Sequence, residues 1–540
     1  MANVVATTLN GQIRGERNDR GVTVFKGVPY AAAPVGRHRF RPPQPHPGWE
    51  GVRNALTVGN VGPQNGSMEA MLLGSDMPPQ SEDCLFLNVW TPALGPSTER
   101  SAVTPGLSSE ATMSATGERR SRAPVGSESR HCVANGSEQR SGNAARPVMV
   151  WIHGGSYVTG SGSNPWYAGD SLASEGDVVI VTANYRIGAF GFCHLADVGG
   201  ERFAGSGNLG LLDQIAVLQW VQDNIANFGG DAGNVTVFGE SAGGGAVLAL
   251  LATPAASGLF QKAIAQSASI GQFRSRERAD AAARHLLDEL GIAHDRADDL
   301  LERSTEDILA AQVAVEAWPH GIDAFAPTHD GVVLPTGVIE AIHAGSAAPN
   351  VAVMIGTNLD EMRLFTAFDP ANATVDEAAV LARATAEIDR DAAHSLTDGY
   401  RAARPGATWG QIASTLATEH TFHQPAIRIA AARASHGYPT WMYRFTWQSP
   451  AFGGIFGSSH AMEIPFVFGT LDHPGAVILT GEGEDRHSVS KVMQQSWLAF
   501  AHHGDPGWTP YGTDRRSTMM FDIASEVQHD PEGDLRQLWP

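Results

Sequence analysis

Short apolar runs rich in β-branched and aromatic residues recur along the chain, separated by longer stretches with a helical spacing of apolar positions. Residues 84–92 (CLFLNVWTP), 147–153 (PVMVWIH) and 177–184 (DVVIVTAN) each read as an apolar strand. Segment 211–228 instead carries Leu212, Ile215, Leu218, Val221 and Ile225 at helical spacing, which predicts an amphipathic helix. A strand signal returns at 234–238 (NVTVF), and Ala242–Ala252 is small and uniformly apolar, the signature of a buried helix. Segments 260–267, 351–357 and 442–445 predict further strands. Segments 274–317 and 376–433 predict helical blocks, and 488–502 a last helix. Alternating strands and helices predict an α/β architecture, a large and mostly parallel central sheet with helices on both faces. Two proline-broken pieces, 22–27 and 36–49, predict a small N-terminal sheet. The helical blocks predict a cap over the site.

One segment breaks the pattern. From 96 to 146 there is no aromatic residue and few large aliphatics. Such a piece buries too little apolar surface to offset its ordering entropy, and it joins two strands that a short loop would connect. It reads as a disordered surface insertion.

Composition narrows the classes. A chain of 540 residues with 42% hydrophobic and 17% charged residues is long enough for a large globular core. Its formal charge of −20 argues against binding a phosphate backbone, so no nucleic-acid partner is expected. Residues 1–10 lack a basic stretch followed by an apolar one, which predicts no signal peptide. No apolar run approaches the roughly 18 residues of a spanning helix, so no membrane partner is expected either. Three cysteines, Cys84, Cys132 and Cys193, are too few and too odd in number for a disulfide framework and predict a reducing cytoplasm. Lysine is confined to Lys26, Lys262 and Lys491 among many arginines, a coding bias that hints at a bacterial source.

The chemistry is carried by Gly239-Glu240-Ser241-Ala242-Gly243, a G-x-S-x-G pentapeptide set between the strand signal and the buried helix. A sharp strand-to-helix turn lifts a serine hydroxyl clear of the backbone, and flanking glycines let that turn close. Serine also needs a base to take its proton and donors to receive the charge that forms on the substrate. Gly154-Gly155, at the end of the 147–153 strand, supplies bare amides for such an oxyanion hole, and the Ala242 amide completes it.

Phe228-Gly229-Gly230 followed by that strand and by Gly239 to Gly243 resembles the serine signature of the type-B carboxylesterases, the carboxylesterase/cholinesterase family. Residues 82–92 (EDCLFLNVWTP) resemble the second signature of that family, and 25–31 (FKGVPYA) and Asn184-Tyr185-Arg186 look like further landmarks. The similarity runs from about Val5 to Phe521, leaving out the 96–146 insertion. It implies an α/β-hydrolase fold, a single catalytic domain over 1–540, and a Ser-Glu-His triad. Ser241 is then the nucleophile, Glu361 the acid with Asp360 as competitor, and His460 the general base. Ser267 resembles a serine set behind the acid, although Ala268 stands where the family usually has glycine. Glu240 reads as a structural carboxylate behind the turn or as one that favours positive charge on His460. The implied chemistry needs no metal and no organic cofactor, only an ester substrate and water, in a monomer or weak homo-oligomer.

Two departures refine the resemblance. No aromatic residue lies between Trp49 and Phe86, where cholinesterases carry the tryptophan that holds a quaternary ammonium. Cys84 has no upstream cysteine and is expected to be a free, buried thiol. Both point to bacterial carboxylesterases, including those assayed on nitrobenzyl esters. Carbamates and aryl amides stay open as alternatives, and a non-catalytic binding protein as a remote one. Trp318, Phe273, Phe325, Phe365 and Phe422 are candidates for the substrate pocket or for core.

Overall fold

The computed structural model describes residues 2–66, 78–95, 145–317 and 324–540. The 96–146 insertion up to residue 144, Cys132 and Trp318 lie outside the described residues. Near the N-terminus come β1 (Ala2–Thr8), β2 (Gly11–Arg17), β3 (Thr23–Pro29) and β4 (Val52–Asn54). They are followed by β5 (Phe86–Thr91), β6 (Arg146–Ile152), β7 (Val179–Ala183), β8 (Gly230–Glu240) and β9 (Lys262–Gln266). After β10 (Arg274–Ser275) and β11 (Thr328–His329), which pair only with each other, come β12 (Ala352–Asn358) and β13 (Thr440–Phe445). The last two are β14 (Ser517–Phe521) and β15 (Glu526–His529). The other described strands join one 13-stranded sheet in the order β1-β2-β3-β5-β7-β6-β8-β9-β12-β13-β14-β15, with β4 on β2. From β7 to β14 neighbours run parallel, and antiparallel strands close both edges.

This α/β-hydrolase sheet is sandwiched because its central strands are apolar on both faces. Val148, Val150 and Ile152 of β6 enter one hydrophobic cluster, and Met149 and Trp151 enter the other. Of the two pieces expected to form a small N-terminal sheet, 22–27 is continuous with the main sheet through β3 paired to β5, while 36–49 carries no strand, only a 3-10 turn at Gly36–His38, since its prolines leave few amides for a ladder. The helix expected at 211–228 is an α-helix at Leu209–Asn224 followed by a 3-10 turn at Ile225–Phe228. Its buried face also differs: Asp213 and Gln214 are buried while Leu212 and Ile215 are only partly so. Asp213 turns inward because it pairs with Arg186 at 2.7 Å, both nearly inaccessible.

Register then builds the site. Glu240 of β8 stands level with Gln266 of β9, and Gln266 with Gly356 of β12. The residues that follow these strands, Ser241, Ser267 and the turn after Asn358, therefore emerge side by side at the carboxyl edge, where open α/β sheets place their ligands. The second helical block resolves into helices Glu377–Glu387, Arg390–Ala403, Trp409–Thr418 and Gln424–Ser435, with a π-turn at Glu419–His423. No helix among the described residues is long and apolar enough to cross a membrane.

Candidate active site

Strand β8 ends at Glu240 and helix Ala242–Ala252 begins two residues later, so Ser241 alone makes the turn. Its backbone lies at φ 58°, ψ −122°, which a residue with a Cβ holds only when its surroundings enforce it. Close main-chain approach enforces it here. A Cβ on Gly239 would stand 2.6 Å from the Ile152 carbonyl oxygen, and one on Gly243 only 2.1 Å from the same atom. The Ser241 amide donates to the Gln266 carbonyl at 2.9 Å, and the Ser269 amide donates to the Ser241 carbonyl at 3.1 Å. The Ser241 hydroxyl oxygen lies 3.4 Å from that of Ser269.

Beside it β6 runs out through His153 into the two glycines. A Cβ on Gly154 would lie 3.1 Å from Ser241 Cβ and 2.9 Å from Glu240 Oε2, so only bare backbone fits there. Gly155 sits at φ +106°, where a Cβ would stand 2.3 Å from the Thr159 carbonyl. Among the described residues, the amides of Gly154, Gly155 and Ala242 donate to no protein acceptor. Unpaired donors beside a hydroxyl make a place for an anion. His153 braces this turn: its Nδ1 must carry the proton, since it faces the Gly154 carbonyl at 2.8 Å. Burial pushes its imidazole down to about 4, so it is neutral at neutral pH.

His460 is fixed quite differently. Its Nδ1 lies 2.7 Å from Glu361 Oε2 and its Nε2 3.1 Å from Glu240 Oε1, so a carboxylate faces each ring nitrogen. All three side chains are buried. The other Glu361 oxygen accepts the Asn358 amide at 2.7 Å and the Ser267 hydroxyl at 2.6 Å. Asp360 faces away, pairing with Arg363 at 3.1 Å and accepting the Ser458 amide at 3.1 Å. The structure thus gathers Ser241, Glu361, His460, Glu240, Ser267, Gly154, Gly155 and Ala242 at one place.

Two contributors were not singled out from sequence. Glu463, fully buried, accepts Asn358 Nδ2 at 2.6 Å and Gln266 Nε2 at 3.0 Å. Burial, and next the charge of Glu361, push its carboxyl above the ordinary range. Its nearness to His460 in sequence was a signal, but one that does not distinguish a buried carboxylate from a solvated one. Ser269 is the second. Of the aromatic candidates for pocket or core, Phe422 and Phe365 lie on the imidazole, at 4.9 Å and 5.5 Å between centroids. Phe325 instead belongs to the main core, and Phe273 packs half-buried against it.

Chemically, a hydroxyl on a strained turn, free amides and an imidazole backed by carboxylate make an acyl-transfer constellation. No group of His, Cys, Asp and Glu able to hold a metal ion occurs among the described residues. A model described as the carboxylesterase family matches residues 2–536. Para-nitrobenzyl esterase of Bacillus subtilis (strain 168) is 36% identical, over 99% of this chain and 98% of the relative. Phenmedipham hydrolase of Pseudarthrobacter oxydans is 33% identical over 97% of each. The solved structure of the Geobacillus stearothermophilus carboxylesterase EST55 matches with a TM-score of 0.81 at 37% identity, over 99% of this chain and 100% of that one.

Proposed function

The chain belongs to the carboxylesterase family and is a serine carboxylesterase, and we propose that Ser241, His460 and Glu361 are its catalytic triad. His460 takes the Ser241 proton as the hydroxyl attacks the ester carbonyl, then returns it to the leaving alcohol. Glu361 on Nδ1 sets the tautomer and stabilises the imidazolium; Glu240 on the opposite side adds to that stabilisation. The amides of Gly154, Gly155 and Ala242 receive the oxyanion, and water deacylates the enzyme by the same steps in reverse. The observation that carries the reading is the 2.7 Å Glu361–His460 bond, formed at the sheet edge where the strained Ser241 turn stands.

The substrate in this reading is an ester with an apolar, aryl-bearing portion, in keeping with the para-nitrobenzyl esterase relative. Its support is two aromatic groups, Phe365 on the His460 ring, and Phe368 and Phe452 in edge-to-face contact with each other and with the buried Phe456. Phe365, Phe368 and Phe452 are exposed. We place the enzyme in the cytoplasm, on the free thiols of Cys84 and Cys193, and read the chain as one catalytic domain. An organophosphate should label the parent, and Ser241→Ala should be neither labelled nor active on p-nitrophenyl acetate. A labelled, active Ser241→Ala protein would refute the triad. Benzyl esters turned over no better than ethyl esters of the same acid would refute the aryl preference.

A further inference from the structure

The helix Trp409–Thr418 does not continue smoothly into Gln424–Ser435; five residues, Glu419–His423, wind as a π-turn between them. Pro425 supplies a local reason. It lacks the amide that an α-turn would aim at the Thr421 carbonyl, and its ring would crowd that carbonyl. A π-turn is rare and shifts the side chains on either side of it relative to α-helical register. Here three side chains at or beside the turn, Thr418, Phe422 and His423, reach the segments that carry Glu361 and His460.

Thr418 Oγ1 accepts the Met362 amide at 3.1 Å, and His423 Nδ1 lies 2.8 Å from Thr357 Oγ1. Thr357 and Met362 bracket the short loop that presents Glu361, so the turn holds that loop at both ends. Between these two anchors Phe422, 5% exposed, packs on the His460 ring at 4.9 Å and an interplanar angle of 38°. The turn is itself anchored by charge in the interior. Glu419 Oε1 pairs with Arg444 at 2.7 Å, and its Oε2 accepts Gln424 Nε2 at 2.8 Å. Arg444 also pairs with Glu532 at 2.8 Å. Such a buried pair adds little net stability, because desolvation offsets its attraction, but it permits few geometries.

We propose that the 418–423 turn is the positioning device of the catalytic pair. Phe422 fixes the plane of the His460 imidazole, and Thr418 and His423 fix the loop that carries Glu361. The inference rests on His460 acting as base toward Ser241. It makes Phe422 a positioning residue, not a catalytic one.

The test compares the parent with Phe422→Leu, Phe422→Tyr and Thr418→Val, using p-nitrophenyl acetate turnover and the rate of organophosphate labelling of Ser241. Misplacing a reacting group by a fraction of an ångström costs roughly tenfold, so Phe422→Leu should lower kcat and the labelling rate by that factor. KM should change less than twofold. Phe422→Tyr keeps the ring and should recover most of kcat. Thr418→Val, which leaves the ring in place, should show a smaller fall in the same two quantities, and it decides the matter if Phe422→Leu does not fold. Parent-like labelling rates in the variants that fold, or a change confined to KM, would overturn the proposal. A parent that the organophosphate does not label at all would instead overturn the triad itself.

Discussion

Ser241 is held by main chain: glycines from its own pentapeptide pressed against the Ile152 carbonyl, its amide donating to the Gln266 carbonyl of β9, and its carbonyl accepting from the Ser269 amide just beyond. The His460 amide donates to the Glu361 carbonyl at 3.2 Å, but its ring is held by side chains gathered from distant segments, with Glu240, Glu361, Phe365 and Phe422 all against it. A main-chain clamp has no slack, since a carbonyl oxygen 2.1 Å from a new Cβ cannot rotate away as a side chain can. A side-chain cradle can lose one member and keep the rest. The nucleophile half should therefore fail as a unit, and the histidine half in steps of unequal size.

The largest step belongs to Glu361. Glu361→Gln should lower kcat by about 10⁴-fold with little change in KM, the scale seen when a triad loses its carboxylate. A loss below a hundredfold would mean that Glu240, on the other ring nitrogen, can stand in for it, and the cradle would then be more redundant than the geometry suggests. Next comes the clamp. Gly243→Ala should cost about 3 kcal/mol of stability, near the upper end for forcing atoms into a packed interior, read as a lowered urea midpoint. A parent-like midpoint would show that the elbow yields, and the contrast between the halves would collapse.

A third experiment uses one buried histidine from each half. Burial holds the imidazoles of both His153, behind the glycine turn, and His423, in the π-turn, down to about 4; for His423 the Arg444 charge adds to it. The unfolded chain binds these protons near the ordinary histidine value, about 6.5, whereas the folded chain refuses them until about 4. Stability is therefore fully present above about 6.5 and is lost as pH falls toward about 4, by at most about 3 kcal/mol per histidine. His423→Gln should flatten the fall of the thermal midpoint between pH 6.5 and 4, leaving the His153 share. An unchanged slope in that variant would mean that His423 takes its proton without unfolding.

The elbow half was legible because its physics is local. Strand, glycine, serine, glycine and apolar helix lie within twenty residues, and Ala242–Ala252 has the bounds its composition predicts. The histidine half was legible only where a motif resembled a family: nothing in local spacing chooses Glu361 over Asp360, and the structure separates them by which way each faces. Glu463 was out of reach because its role depends on packing across long sequence separations, and Phe422, a candidate for pocket or core, could not be placed on the His460 ring for the same reason. The sheet edges were not read from sequence: β1 and β2 at one edge and β14 and β15 at the other are fixed by pairing, β2 to β3 and β14 to β13. On helix Leu209–Asn224 the spacing misjudged the buried face, since burial of Asp213 depends on Arg186, far upstream.

The smallest step should be Ser267→Ala, and it is the one that best discriminates a cradle from a set of independent contacts. A hydrogen bond to a carboxylate is worth about 1.5–3 kcal/mol, but the Asn358 amide remains on the same Glu361 oxygen, so the lower end applies and kcat should fall about tenfold. Ser267 reaches the chemistry only through Glu361. In a Glu361→Gln background, Ser267→Ala should therefore cost almost nothing more, a coupling energy close to the whole single-variant effect. Losses that simply add would mean that the Ser267 hydroxyl acts on the chemistry independently of Glu361, since the variant keeps the main-chain bond from the Ser267 amide to the Gly356 carbonyl. The histidine half would then be a set of independent contacts and not a cradle whose members act through one another.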